Sequence, residues 1–165
     1  MLKVGFGYVG IYDKRFSRSI LEIAGTIIVE GHAGFGHGAK ISVGPQGILT
    51  IGDSFINTAE GKFVCFNRMT FGKNVGVGWD VLIMDTDFHP TENTKTGDVY
   101  SEMGEVFLGD DVWVGTRAVI LKDTYIPNGC ILGANSTACK KYEEPYALIA
   151  GAPASVRKSN ITKAK

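Results

Sequence analysis

Residues 108–138 decide the fold; divided into sixes they read LGDDVW VGTRAV ILKDTY IPNGCI LGANST A. Each group opens on an apolar residue, from Leu108 to Ala138, and a small or β-branched residue stands four positions later, from Val112 to Ser136. An α-helix has 3.6 residues per turn, so a column repeated every six residues would wind around it. The period instead predicts short strands joined by corners, with three units in each triangular turn of a parallel β-solenoid.

The same six-residue spacing recurs upstream, with a few extra residues inserted between its runs, and covers most of the chain. The apolar residues of these runs are Ile23, Val29, Phe35 and Ile41, then Ile51, and then Phe71, Val77 and Ile83. We predict that this column points inward, so that each coil buries the column of its neighbour. The composition agrees, since 15 Ile and 14 Val against 8 Leu favour strands, and 22 Gly favour turns.

The repeat also suggests how the chain is organised. We expect an all-β chain in which residues 1–22 form an N-terminal cap segment, residues 23–141 form the solenoid, and residues 142–165 form a C-terminal tail. A helix is one option for that tail. The hexads stop between Ile83 and Leu108 in a polar stretch, which predicts an excursion loop near residues 84–107. Long loops inside a compact repeat are usually functional or disordered.

Composition and charge exclude several classes of protein. The 17 Lys and Arg balance 17 Asp and Glu, so there is no electrostatic case for a nucleic-acid partner. The longest strongly apolar stretch, residues 20–29, is too short and too polar to span a membrane, and no secretory signal is visible, so a cytoplasmic location is expected. Three cysteines without a Cys-x-x-Cys pair predict neither a disulfide framework nor a thiolate metal site.

The polar stretch contains the best candidate chemistry. If residues 85–89 are extended, Asp85, Asp87 and His89 project on one side and place two carboxylates near one imidazole. Such a group can act as a general base with an orienting partner. A solvated loop with a chance histidine is the alternative.

These features together resemble a known family. The hexads, the segments 78–90 (GWDVLIMDTDFHP) and 108–115 (LGDDVWVG), and the segment Gly151-Ala152-Pro153-Ala154 are similar to the hexapeptide-repeat acyltransferases, most of all the small sugar O-acetyltransferases of surface-polysaccharide synthesis. The resemblance implies a left-handed parallel β-helix that forms a homotrimer. It further implies that acetyl-CoA binds between adjacent subunits, that no metal is needed, and that the acceptor is a sugar hydroxyl.

The resemblance also implies roles for individual residues. His89 would take the proton of the acceptor hydroxyl and then protonate the departing sulfur, and Asp87, with Asp85 as a second candidate, would fix its tautomer. The acetyl-CoA contacts would come from Trp113, Thr116, Ala134, Lys140 and Arg157, and the acceptor contacts from Asn57 and Asp85. Each position has a structural alternative: Trp113 could pack on the solenoid wall, the basic residues could be solvated charges, and Asn57 could bond a corner backbone.

The sequence also allows two other functions, a zinc lyase and a non-catalytic binding module. His32 and His37 have the spacing of paired ligands in a γ-carbonic-anhydrase-type zinc lyase, but only His89 is left as a third ligand, and it lies downstream. A non-catalytic solenoid that serves as a binding module would have no affinity for acetyl-CoA.

Overall fold

The computed structural model describes residues 1–7, 9–13 and 15–164, which form a left-handed parallel β-solenoid of about 5 turns. This part of the chain contains strands and turns but no helix, and so no helix that could cross a membrane. The all-β expectation and the left-handed β-helix are therefore confirmed.

The solenoid is built from short strands that follow one another around three faces. In chain order the strands are β1 (Leu2–Val4), β2 (Ile20–Ile23), β3 (Thr26–Val29), β4 (Ala33–His37), β5 (Lys40–Val43), β6 (Ile48–Ile51), β7 (Phe55–Ala59), β8 (Lys62–Cys65), β9 (Arg68–Phe71), β10 (Gly76–Val77), β11 (Leu82–Met84), β12 (Thr91–Glu92), β13 (Val99–Tyr100), β14 (Glu105–Leu108), β15 (Trp113–Val114), β16 (Val119–Ile120), β17 (Thr124–Ile126), β18 (Ile131–Leu132), β19 (Thr137–Ala138), β20 (Leu148–Gly151) and β21 (Ala154–Lys158).

Three parallel sheets form the faces. Sheet A has the order β1-β4-β7-β10-β15-β18-β20-β21, sheet B the order β2-β5-β8-β11-β16-β19, and sheet C the order β3-β6-β9-β14-β17. All neighbours are parallel except β20 and β21. The chain turns from sheet A to sheet B at what we call the A/B corner, and from sheet B to sheet C at the B/C corner.

The predicted inward column is the core. The members at most 2% exposed are Phe35, Ile41, Ile51, Phe71, Val77, Ile83, Leu108, Val114, Ile120, Ile126, Leu132 and Ala138. The column stacks in register, with Val77 opposite Val114 and Val114 opposite Leu132. Ile23 is 48% exposed because it lies on β2, the edge strand of sheet B. Burying each large apolar side chain stabilises the fold by about 1.5–3 kcal/mol.

The ends of the chain differ from the sequence-based expectation. The helix considered for the C-terminal tail is wrong, because β20 adds to sheet A with Leu148 opposite Ile131, and β21 then folds back on it. A helix there would leave the edge of β18 unpaired. At the other end β2 begins at Ile20, inside the predicted cap segment, and β1 joins sheet A. Tyr8, Lys14 and Lys165 of these end segments lie outside the described residues.

The predicted excursion is confirmed as an antiparallel ribbon. The chain leaves sheet B after Met84 and re-enters sheet C at Glu105. Strands β12 and β13 pair near its tip, and a bridge joins Thr86 to Met103 near its base. We call residues 85–104 the excursion ribbon; it carries His89.

Candidate active site

The base of the excursion ribbon is held from the preceding coil by one buried carboxylate. Asp85 is fully buried and accepts hydrogen bonds from the backbone N–H of Phe66 at 2.7 Å and of Asn67 at 3.0 Å. Gly104 donates its N–H to the Asp85 carbonyl at 2.8 Å, and the Asn67 side chain donates to the Gly104 carbonyl at 2.7 Å. Asp85 therefore fixes where the ribbon begins and ends, which corrects its predicted role in contacting the acceptor.

The run from Asp85 to His89 is turned rather than extended. Phe88 has a φ of 61° and donates its N–H to the Thr86 hydroxyl at 2.9 Å. Asp85 is buried, whereas Asp87 and His89 are exposed. The expectation that the three side chains project on one side is wrong, because the Asp85 carboxylate is held by the backbone of Phe66 and Asn67 in the preceding coil.

Asp87 and His89 lie on the outgoing segment of the ribbon, between β11 and β12. The Asp87 carboxylate pairs with Lys122, with 2.8 Å between Oδ2 and Nζ. Among the described residues, no side chain or backbone group forms a hydrogen bond or an ion pair with the His89 imidazole. His89 is thus free to meet a substrate, and its pairing with Asp87 stays a prediction.

The A/B corner presents a row of backbone N–H groups. At this corner Gly115 and Arg117 donate their N–H groups to neighbouring coils, whereas the N–H of Thr116, between them, donates to no acceptor within the part of the chain described. One coil further, Ala134 has the same position and the same free N–H. A Cβ on Gly115 would lie 2.6 Å from the Ala134 nitrogen, so glycine permits this close stacking.

Trp113 stands beside this row on the outer surface of sheet A. Its side chain is 46% exposed and its Cα partners are Gly76 and Ile131. The predicted alternative of packing against a wall fits poorly, because the neighbour on one side is a glycine. Trp79 occupies the position of Thr116 in the preceding coil and also has a free N–H among the described residues, a candidate that the sequence analysis missed.

The two basic candidates lie at different corners. Arg157, on β21, donates from Nε to the Ala150 carbonyl at 3.0 Å, in the coil that follows Ala134. Lys140 follows β19 at the B/C corner, and its Nζ lies 5.6 Å from the centre of the Tyr142 ring. Within one subunit, the Arg157 side chain thus lies one coil beyond Ala134 on the same side of the solenoid, while Lys140 lies at a different corner.

Asn57 points into the core. It is 2% exposed, stands between Phe35 and Val77 in the inward column, and donates from Nδ2 to the Gly78 carbonyl at 2.9 Å. The structure therefore gives Asn57 the corner-bonding role in place of the acceptor contact, because a side chain inside the solenoid has no surface to offer a ligand.

The buried thiols are unsuited to nucleophilic chemistry. Burial, reinforced by the nearby Asp85 carboxylate, raises the pKa of Cys65 to about 12. Burial also raises the pKa of Cys130, whose Sγ donates to the Glu144 carbonyl. Since the thiolate is the nucleophilic form, neither cysteine is available at neutral pH.

The two upstream histidines do not form a metal site with each other. His32 is exposed, with Nδ1 3.4 Å from Asp53 Oδ1, whereas His37 is buried at the end of β4. No cluster of three potential His, Cys, Asp or Glu ligands occurs in the described residues. The zinc-lyase interpretation therefore lacks a ligand set in the described part of the chain.

Sequence comparison finds relatives that are acetyltransferases. A protein of Lysinibacillus sphaericus assigned as a macrolide acetyltransferase is 37% identical over 126 residues, which cover 71% of this chain and 63% of the relative. The chloramphenicol acetyltransferase of Klebsiella aerogenes is 34% identical over 65 residues, covering 39% of this chain and 30% of the relative. An Escherichia coli protein assigned as an O-acetyltransferase of lipopolysaccharide biosynthesis is 26% identical, covering 74% and 66%. No protein-family model matches the chain.

Solved structures that superpose on this chain are acetyltransferases as well. The galactoside acetyltransferase in complex with coenzyme A superposes with a TM-score of 0.66 at 25% identity, covering 81% of this chain and 64% of that one. In sequence and in fold this chain is therefore similar to the hexapeptide-repeat acetyltransferases. The polysialic acid O-acetyltransferase OatWY shares the fold over 100% of this chain and 92% of its own, with a TM-score of 0.61 at 20% identity.

Similarity to these acetyltransferases does not identify the substrates of this chain, which have to be argued from the site. The chain spans about 30% of the length of the chloramphenicol acetyltransferases that it matches. The alignment therefore does not show that this chain acetylates chloramphenicol.

Proposed function

We propose that this chain transfers an acetyl group from acetyl-CoA to a hydroxyl of a sugar in a polysaccharide precursor, in the cytoplasm, as a homotrimer with active sites between subunits. The observation that carries the proposal is the row of free N–H groups at Thr116 and Ala134 beside the exposed Trp113. An aromatic wall next to unpaired donors suits the pantetheine arm, whose amide carbonyls accept hydrogen bonds. Arg157, one coil further, is placed to meet a phosphate.

The separation of the two halves of the site supports a trimer. His89 is carried by the ribbon at the B/C corner, whereas Thr116 and Ala134 lie at the A/B corner. A face of four to five extended residues is about 15 Å wide, so the two corners of one subunit stand well apart. In a threefold assembly the B/C corner of one copy can face the A/B corner of the next, which would bring His89 to the thioester.

The proposed chemistry is a direct acyl transfer. The acceptor oxygen attacks the thioester carbonyl carbon while His89 takes the hydroxyl proton. The C–S bond then breaks, and His89 returns the proton to the departing sulfur. The exposed position of His89, bonded to no other described group, is compatible with both proton transfers. Because burial raises the pKa of Cys65 and of Cys130, the proposed mechanism does not pass the acetyl group through either buried thiol.

Two classes of acceptor offer a hydroxyl for this reaction. Relatives assigned to lipopolysaccharide biosynthesis and to galactoside acetylation support a sugar hydroxyl. The identity to chloramphenicol and macrolide acetyltransferases favours a hydroxyl of an antibiotic as a second candidate. Both acceptors present an alcohol to the same base, so the chemistry at His89 is the same.

A thiol-release assay with acetyl-CoA tests the proposal. The acceptor panel contains free sugars, nucleotide sugars, chloramphenicol and a macrolide, and we expect turnover with a sugar. In parallel, coenzyme A is titrated while the backbone amide resonances of Thr116 and Ala134 are followed, and sedimentation measures the mass of the assembly. Shifts at both amides, a trimeric mass and sugar-dependent release support the proposal. Unshifted amides overturn the placement of acetyl-CoA, and turnover only with an antibiotic overturns the sugar acceptor.

A further inference from the structure

We propose that Lys122 is a positioning residue of the excursion ribbon. It holds the Asp87 carboxylate in place, and Asp87 in turn orients the His89 imidazole. The proposal rests on the acetyl-transfer function proposed above. Lys122 lies in the B/C corner between β16 and β17, one coil beyond the ribbon, and its side chain is 20% exposed. It therefore approaches the ribbon from the side opposite to Phe66 and Asn67.

One ammonium group joins the two strands of the ribbon. Lys122 Nζ lies 2.8 Å from Asp87 Oδ2 on the outgoing segment, before β12, and 2.5 Å from the Ser101 carbonyl oxygen on the returning segment, after β13. A lysine ammonium has three donors, so both acceptors are served by a single side chain. The Asp87 N–H also donates to the Glu102 carbonyl at 2.9 Å, so the tie lies where the backbones already pair.

The close approach of the ribbon to Lys122 depends on glycine. A Cβ on Gly104 would lie 2.9 Å from Lys122 Cβ and 2.6 Å from Asp123 Oδ1. A larger residue would push the returning strand away from this corner. The absence of a side chain at position 104 thus lets the lysine reach across the base of the ribbon to Asp87.

The ion pair engages only one oxygen of the Asp87 carboxylate. Lys122 Nζ pairs with Oδ2, and Oδ1 is bonded to no other described group. A carboxylate held through one oxygen can accept an imidazole N–H with the other, which would set the tautomer and the orientation of His89. Because an error of about 1 Å in a reacting group can cost about 10²-fold in rate, loosening this tie should lower kcat.

The test compares Lys122→Met with Lys122→Arg and with the control Lys73→Met, an exposed lysine at another corner. We expect Lys122→Met to lower kcat about 10- to 100-fold with the KM for acetyl-CoA within about twofold, Lys122→Arg to recover most of the rate, and Lys73→Met to match the wild type. In an Asp87→Asn background, Lys122→Met should add little further loss, because the two residues act through one contact.

Hydrogen exchange gives a readout that does not need turnover. The Asp87 amide should exchange at least about tenfold faster in Lys122→Met than in the wild type or in Lys73→Met, because its bond to Glu102 opens when the tie is lost. An unchanged exchange rate at Asp87 overturns the proposal, with or without acetyl transfer. A rate loss that Lys122→Arg does not relieve, or that adds fully to Asp87→Asn, also overturns it. Absence of transfer by the wild type would refute the proposed function alone, and exchange would still decide the role of Lys122.

Discussion

The regular coils and the excursion ribbon are stabilised in different ways. In residues 105–138 the inward positions are filled repeatedly by buried apolar side chains, so the same packing contact recurs from coil to coil. In the ribbon, residues 85–104, the side chains near the base make individual polar contacts, such as Asp85 with Phe66 and Asn67, and Asp87 with Lys122. The coils thus supply the stability, and the ribbon, supported by them, is free to carry chemistry.

The largest expected effect comes from the ribbon and spares the fold. His89→Ala should slow acetyl transfer about 10²- to 10⁴-fold, because the general base is lost. The midpoint of thermal unfolding should not move, since the imidazole is exposed and bonded to no described group. His32→Ala is the matched control, because His32 is also exposed but lies outside the site. Equal turnover of the His89 and His32 variants in the thiol-release assay would remove His89 from the mechanism.

A pair of apolar truncations tests the same comparison through stability. Leu108→Ala should lower the free energy of unfolding by about 2–5 kcal/mol, because Leu108 is fully buried in the inward column. Val99→Ala should change it by less than about 0.5 kcal/mol, because Val99 is 68% exposed on the ribbon. Denaturant unfolding of both variants measures the difference. A large loss for Val99→Ala would mean that the ribbon is part of the core.

Asp85 lies where the two regions meet and should give an intermediate effect. Asp85→Asn keeps the shape but turns an NH2 group toward one of the two backbone donors, at an expected cost of about 1.5–3 kcal/mol in the free energy of unfolding. Asp98→Asn is the control, since Asp98 is exposed and its carboxylate accepts a hydrogen bond from the Thr96 hydroxyl rather than from buried backbone N–H groups. Denaturant unfolding and proteolysis of the ribbon are the measurements. Equal stability of the two variants would contradict the anchoring role of Asp85.

The smallest effect is on the free energy of unfolding at alkaline pH. The pKa of Cys65 is raised from 9.0 to about 12 by burial and then by Asp85, so the folded state keeps a proton that the unfolded state releases. The stabilisation is complete below about pH 9 and falls by about 1.4 kcal/mol per pH unit as the pH rises toward 12. Cys65→Ala should remove that slope, measured by urea unfolding between pH 8.5 and 10.5. Cys139→Ala, an exposed control, should retain it.

The hexad period predicted the coils well for a physical reason. Burial in a solenoid repeats with the local geometry of strand and corner, so the apolar column from Phe35 to Ala138 can be read without knowing any long-range contact. The same period locates the excursion by its interruption. It also explains the glycines that follow the inward residues, since Gly115 lies against the Ala134 backbone of the next coil.

The predictions made from the sequence are wrong where a contact joins two coils or where a turn replaces a strand. The extended reading of residues 85–89 failed at Phe88, whose left-handed backbone is set by the Thr86 hydroxyl and by packing on the Phe66 ring, 5.0 Å between centres. The anchoring residues were missed, although a signal existed. Eighteen residues, or three hexads, separate Asn67 from Asp85 and Gly104 from Lys122, which is the length of one coil.

By itself the sequence determined the solenoid, its inward column and the place of the excursion, because hydrophobic burial at a six-residue period depends only on local geometry. Only the tertiary structure decided that Asp85 is an anchor, that Lys122 joins the two strands of the ribbon, and that Thr116 and Ala134 keep free N–H groups at one corner. These features depend on how coils stack in register, and partners far apart in the chain meet only after that stacking is complete.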